Sequence, residues 1–160
     1  MPTDNKHRLW GFGTPRLVKN MPDVKTTAAG FYAINGTSVL MSLESLEQER
    51  IGEMFEAIRE QNPRGRILLV LDNFSSHICD YTREKAAELG IVLVFLPVAS
   101  PHLQPIEPVW GKLKHDLSPI STESADHFRA LVEETFLDLT HSLSFAADWL
   151  NRFINVNSLR

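Results

Sequence analysis

Two aliphatic runs, Ile67–Leu71 and Ile91–Leu96, constrain this chain more than any other feature. Neither alternates apolar with polar residues, so each reads as a strand buried on both faces, the habit of parallel pairs. Between them Ser75 or Ser76 can cap a helix running to Leu89, and Gly90 stands where a helix ends in a left-handed residue. Strand, helix, strand over residues 67–96 is therefore a βαβ unit with two parallel strands. Ahead of it, Thr27–Ile34 and Ser38–Ser42 are β-leaning runs around Asn35-Gly36, a dipeptide suited to a tight hairpin turn. The expected sheet is thus mixed. Ser45 and Gln48 form a capping box before Ile51, Met54, Phe55 and Ile58, and that helix should stop at Asn62-Pro63-Arg64-Gly65.

Beyond a Pro-rich loop at 97–105, Ile106, Val109, Trp110, Leu113 and Leu117 trace one apolar stripe of a helix. Two more amphipathic helices follow, lined by Phe128, Leu131, Val132, Thr135 and Leu139, then by Ala146, Trp149, Leu150 and Phe153. The C-terminal stretch is acidic, so its helices are expected to pack over the sheet or to self-associate, not to meet DNA. The chain reads as one α/β domain over 1–160: an irregular arm at 1–25, a core at 26–118 and C-terminal helices at 119–160.

Composition excludes several classes. With 43% hydrophobic and 22% charged residues the chain is globular, neither disordered nor fibrous. A lone cysteine, Cys79, can form no internal disulfide, and no apolar run approaches the ~20 residues of a membrane span, so no membrane partner is expected. The opening Met1–Arg8 has no apolar core of a secretory signal, which leaves a cytoplasmic location as the expectation. The net charge of −4 is unevenly spread, with five Lys/Arg against two acids in residues 1–40. A basic arm can meet phosphate, but an ordinary solvated surface accounts for it equally well, and charge does not decide the function.

Two carboxylates stand where a fold of this kind would focus them. Asp72 closes a buried strand, at the edge of an α/β sheet where ligands bind, and Glu107 lies in the first turn of the helix after the Pro-rich loop. Facing each other they would repel unless a cation held them, and a hard divalent ion such as Mg²⁺ suits oxygen ligands. Taken singly, each has an ordinary structural reason: an Asp-Asn pair is a common turn or cap, and a Glu in a first turn favours the helix dipole.

The surrounding residues strengthen the functional reading. Leu69-Val70-Leu71-Asp72-Asn73 with His77, then Phe95-Leu96-Pro97, Ser100-Pro101, Leu103, Pro105-Ile106-Glu107, Trp110 and Lys114, resembles the mariner-related insertion-sequence transposases, which are DDE-type enzymes. The resemblance runs from about Trp10 to Leu117 and is densest between 67 and 114. The 34 residues between Asp72 and Glu107 match the family's spacing of its second and third catalytic acids. It implies a ribonuclease-H-like fold and metal-dependent cleavage and transfer of DNA strands, with Asp72 and Glu107 as catalytic ligands of Mg²⁺ or Mn²⁺. It further implies that Asn73 orients the Asp72 carboxylate. His77 matches the motif, although a histidine packed in a first helical turn reads the same way. In the Pro-rich loop the chain departs from the pattern, with Ala99, His102 and Gln104 where Tyr, an acid and Asn are common; Gln104 keeps the amide on a longer arm. Lys112 and Lys114 are candidate contacts to DNA phosphates, or simply a solvated helix face. DNA and a second copy are the implied partners, at the nucleoid.

A DDE site needs three acids. The first belongs on a strand before the hairpin, upstream of a segment that here corresponds to Trp10-Gly11, and the only acid ahead of Trp10 is Asp4, in a polar stretch without strand character. The first strand and its Asp are therefore expected outside this chain or displaced. An upstream polypeptide would supply them together with a helix-turn-helix; a decayed remnant or a fragment of a longer enzyme would show the same gap. The competing function is a non-catalytic interaction module. An unrelated metal-dependent phosphohydrolase sharing only the Asp-Asn strand end is a more distant one.

Overall fold

The computed structural model describes residues 27–43, 48–72, 79–98, 100–120, 122 and 124–153. Strands β1 (Thr27–Phe31) and β2 (Val39–Leu43) pair antiparallel, with Thr27 opposite Leu43 and Phe31 opposite Val39. The hairpin is present, but Asn35-Gly36 is not a two-residue turn. The strands are joined by residues 32–38, and Gly36 is absent from the described glycines with positive φ, which are Gly65 and Gly90. The loop is held by side chains instead: Ala33 N–H donates to Ser38 Oγ at 3.0 Å, and Thr37 N–H to Asn62 Oδ1 at 2.7 Å. Gly36 serves that close approach, since a Cβ there would collide with the Asn62 carboxamide oxygen.

Helix α1 (Gln48–Gln61) follows and stops where Asn62-Pro63-Arg64-Gly65 requires, with Gly65 at φ 76°. Its proposed cap, Ser45, lies outside the described residues. Strand β3 (Ile67–Leu71), helix α2 (Asp80–Glu88) and strand β4 (Ile91–Phe95) form the βαβ unit, and β3 pairs β4 in parallel with Leu71 opposite Phe95. Gly90 takes φ 64° and donates to Ala87 O at 3.1 Å, the left-handed helix end read from the sequence. At the other end of α2, Ser75 and Ser76 are outside the described residues; the described helix starts after Cys79.

After a short 3₁₀ turn (Pro101–Leu103) come α3 (Ile106–Leu117), α4 (Ala125–Thr140), a second 3₁₀ turn (Leu143–Phe145) and α5 (Ala147–Phe153). Ser124 caps α4 by accepting from His127 N–H at 3.1 Å. None of the described helices is long and apolar enough to cross a membrane.

The fold is mixed α/β, with antiparallel and parallel pairing both present. Among the described residues, however, the strands form two two-stranded sheets rather than one continuous ladder. Shared packing joins them. Met54, Phe55 and Ile58 of α1 bury against Val39 and Met41 of the hairpin and against Ile67, Leu69 and Ile91 of the parallel pair in one cluster. The other side of the hairpin, with Leu40 and the flanking Tyr32 and Ile34, enters a second cluster with Val109 and Leu113 of α3 and Phe128, Val132 and Phe136 of α4. Alternation along two short strands thus feeds two helical layers. Tyr32 reinforces the second: its hydroxyl donates to Ser142 O at 2.6 Å, and burial pushes its pKa up.

One expectation is corrected. β3 and β4 are buried on one face only among the described residues: Leu68 is 64% exposed, and Val92 and Val94 each 42%. The physical reason lies in the helix layers. α1 and α2 cover the face carrying Ile67, Leu69 and Ile91, whereas α3 and α4 cover the hairpin.

Candidate active site

Asp72 directly follows β3, at the carboxyl edge of the parallel pair, and is exposed. The pairing reaches that edge in full, because Leu96 N–H donates to Leu71 O at 2.8 Å, one residue short of Asp72. From Leu96 the chain turns away through Pro97. It closes a turn in which Leu103 N–H donates to Ser100 O at 3.0 Å, then enters α3 at Pro105, whose φ of −63° is already helical. Glu107 sits in that first turn, exposed, with its backbone N–H bonded to Gln104 O at 3.2 Å. One loop therefore connects a residue bonded beside Asp72 to the residue before Glu107. Gln104 contributes through its carbonyl, which caps the turn carrying Glu107. Asn73 and His77 lie outside the described residues.

The orientation of α3 is fixed from below. Val109, Leu113 and Leu117 are buried, and Trp110 stacks on Phe136 with ring centroids 5.1 Å apart. Those rings reach the hairpin only because Gly30 has no side chain: a Cβ there would stand 2.7 Å from Trp110 and 2.9 Å from Phe136. Nothing in the local pattern around Gly30 or Phe136 announces this contact, which spans more than a hundred residues of sequence.

The two lysines of α3 separate. Lys114 lies seven residues after Glu107, two helical turns, so both occupy one flank, and Lys114 is exposed. Lys112 points off another flank and makes an intrahelical ion pair with Asp116, where His115 also approaches at 3.2 Å. That pairing holds the Asp116 carboxyl below its usual range, the Lys112 bond outweighing partial burial.

A second residue the sequence did not flag is Arg59. Its guanidinium donates to Leu89 O at 2.7 Å, Asn62 O at 3.0 Å, Gly65 O at 3.1 Å and Gly90 O at 3.0 Å. It thereby ties the ends of α1 and α2 to the residues that open β3 and β4, at the amino edge opposite Asp72. No group of three or more His, Cys, Asp or Glu side chains gathers as a metal cage among the described residues.

Solved structures share the fold. The Mos1 transposase paired-end complex with left transposon end aligns at TM-score 0.61 and 18% identity, covering 91% of this chain and 49% of that one. The Mos1 transposase catalytic domain with raltegravir and Mn aligns at 0.56 and 16% identity over 74% of this chain and 70% of that one. Its counterpart with Mg gives 0.52 and 15%, over 74% and 76%. The chain spans about half the length of the transposase in the paired-end complex. No curated protein matches it by sequence. Residues 22–131, more than half of the 160, match the family model for the DDE superfamily endonucleases, and the chain belongs to that family.

Proposed function

We propose that this chain is a transposase catalytic domain that cleaves and transfers DNA strands, with Asp72 and Glu107 as its carboxylates. The observation that carries the reading is the path between them: Asp72 directly follows a strand whose last carbonyl, that of Leu71, bonds Leu96, and the loop from Leu96 leads to Glu107 in an exposed first helical turn. Family membership and the likeness to the Mos1 catalytic domain support it.

Both residues offer hard, exposed oxygen donors, which suit Mg²⁺ or Mn²⁺. A divalent ion held by them supplies positive charge where an anionic phosphate would otherwise meet two acids. The protein's part is to position. Leu71 and Leu96 fix the backbone at Asp72, and the Gln104 carbonyl fixes the turn of Glu107. Asn73 and His77, to which the family motif gives supporting roles beside Asp72, lie outside the described residues. Lys114, on the Glu107 flank, meets a DNA phosphate; Lys112 is a weaker contact because Asp116 already neutralises it. The solved Mos1 complex holds transposon-end DNA, and the same class of partner is assigned here, with a second copy of the chain.

A third carboxylate comes from outside the described residues, on a strand supplied by an upstream polypeptide or by a preceding part of the same protein. Two separate strand pairs sharing α1 support this, since one added strand would unite them. Asp4 is outside the described residues. A second reading, a non-catalytic interaction module, draws on the exposed aliphatic face at Leu68, Val92 and Val94.

The test is nicking of supercoiled DNA in Mg²⁺ or Mn²⁺, with the chain alone and with the upstream polypeptide. Nicking lost in both Asp72→Ala and Glu107→Ala supports the proposal. Nicking that survives both substitutions, or none under either condition, overturns it, and the latter leaves the interaction module.

A further inference from the structure

The fold does not use Asn35-Gly36 as a two-residue turn, and both residues are exposed in the middle of loop 32–38. The bonds that hold this loop pass on either side of the pair. Ala33 N–H donates to Ser38 Oγ, Thr37 N–H to Asn62 Oδ1, and Asn62 Nδ2 to Thr37 O at 2.9 Å. Among the described residues no hydrogen bond engages the Asn35 carboxamide or the Gly36 N–H.

An asparagine carboxamide is an electrophile within reach of the backbone nitrogen that follows it. Ring closure is ordinarily opposed by the next side chain and by hydrogen bonds that hold the amide. Glycine removes the first obstacle. The loop removes the second, and its place on the surface admits water and hydroxide. The other described asparagines differ in both respects. Asn62 precedes Pro63, whose nitrogen carries no proton, and its carboxamide is held by Thr37 and by Ile58 O at 3.0 Å. Asn151 lies inside α5 and precedes Arg152.

We propose that Asn35 is a site of spontaneous deamidation in the folded chain, converting to a mixture of aspartyl and isoaspartyl residues. The Gly36 nitrogen gives up its proton to hydroxide and bonds to Asn35 Cγ. The Cγ–Nδ2 bond breaks, and ammonia leaves with a proton taken from water. Water then opens the cyclic imide. Cleavage at Cγ gives the aspartyl product, and cleavage at the backbone carbonyl gives the isoaspartyl one, whose main chain runs through Cβ and Cγ. Either product adds a negative charge. The second also lengthens the backbone beside Gly36, where the approach to Asn62 leaves no room even for a methyl group. The Thr37–Asn62 bonds, which tie the hairpin loop to the end of α1, are then the first to be lost.

The experiment ages the 160-residue chain at mildly alkaline pH and follows it by tryptic peptide mass. The peptide Thr26–Arg50 holds Asn35 as its only asparagine, so a mass gain equal to exchange of NH for O, located by fragmentation, reports on this site. Methyl transfer by an isoaspartyl methyltransferase identifies the lengthened product. Conversion is expected at a rate of the same order as in a synthetic peptide of residues 32–38, with Asn62 and Asn151 unchanged. Reaction through the unfolded minority alone would be on the order of a thousandfold slower or more. Asn35→Gln should stay unmodified, and the Thr37 amide should lose hydrogen-exchange protection in the aged parent but not in this variant. An Asn35 that stays intact or reacts only at the slow rate while the short peptide converts overturns the proposal, as does equal conversion at Asn62 or Asn151. Full conversion with the Thr37 amide still protected overturns the loosening of the hairpin loop.

Discussion

Gly30 shows how one missing methyl group decides the placement of a helix. The Trp110 indole and the Phe136 ring occupy the volume a side chain would need, and Trp110 is one turn beyond Glu107 on α3. Gly30→Ala forces those rings to move. Overpacking of this kind costs about 1–3 kcal/mol, so the variant should melt earlier, by several degrees, with altered near-ultraviolet dichroism from Trp110. A melting curve unchanged from the parent would refute the contact. Gly30 was not legible as a packing position, because a glycine in a β-leaning run carries no sign of which ring will cover it. Gly90, in contrast, was legible: its place one residue beyond a helix end sufficed. Arg59 and Asn62 were missed for the reason that hid Gly30. Both act on backbone carbonyls or amides far along the chain, and Asn62 reaches Thr37 across 25 positions.

At the scale of elements, α3 is the best-read part of the molecule, since a strict apolar stripe specifies its buried face without any tertiary knowledge. Its polar flanks carried less information. Lys112 and Lys114 look alike in composition, and the flank each occupies and the pairing of Lys112 with Asp116 distinguish them. Asp116 lies in the last turns of α3, where a negative charge opposes the helix dipole, and Lys112 offsets that. Because the folded carboxyl titrates below its ordinary value of 3.8, this pairing stabilises the fold above that pH, and the contribution fades as pH falls through the depressed value. It is a small, solvent-screened effect. Carboxyl-detected NMR titration should place Asp116 below 3.8 in the parent and return it towards that value in Lys112→Ala; identical curves would show that the pair does not form. The parallel strands were recognised by their unbroken aliphatic runs, but burial on both faces did not follow. A run of that kind records what a strand can tolerate on each face, not what the described helices cover.

Across the whole molecule the hairpin is the shared wall of two hydrophobic clusters, one under α1 and one under α3 and α4. Neither cluster closes without it, so the described residues should unfold in one step, the far-ultraviolet and near-ultraviolet signals losing amplitude at the same denaturant concentration. Two separated transitions would show that the clusters stand independently. The α/β architecture was readable because periodicity and motif spacing are properties of short segments. The division of the described strands into two pairs was not, since strand edges pair with residues far away in sequence. Arg59 has one more implication. By fastening the ends of α1 and α2 to the starts of β3 and β4, it bolts down the rim farthest from Asp72. The loops at the opposite rim can then differ in shape while the anchorage of the strands stays undisturbed.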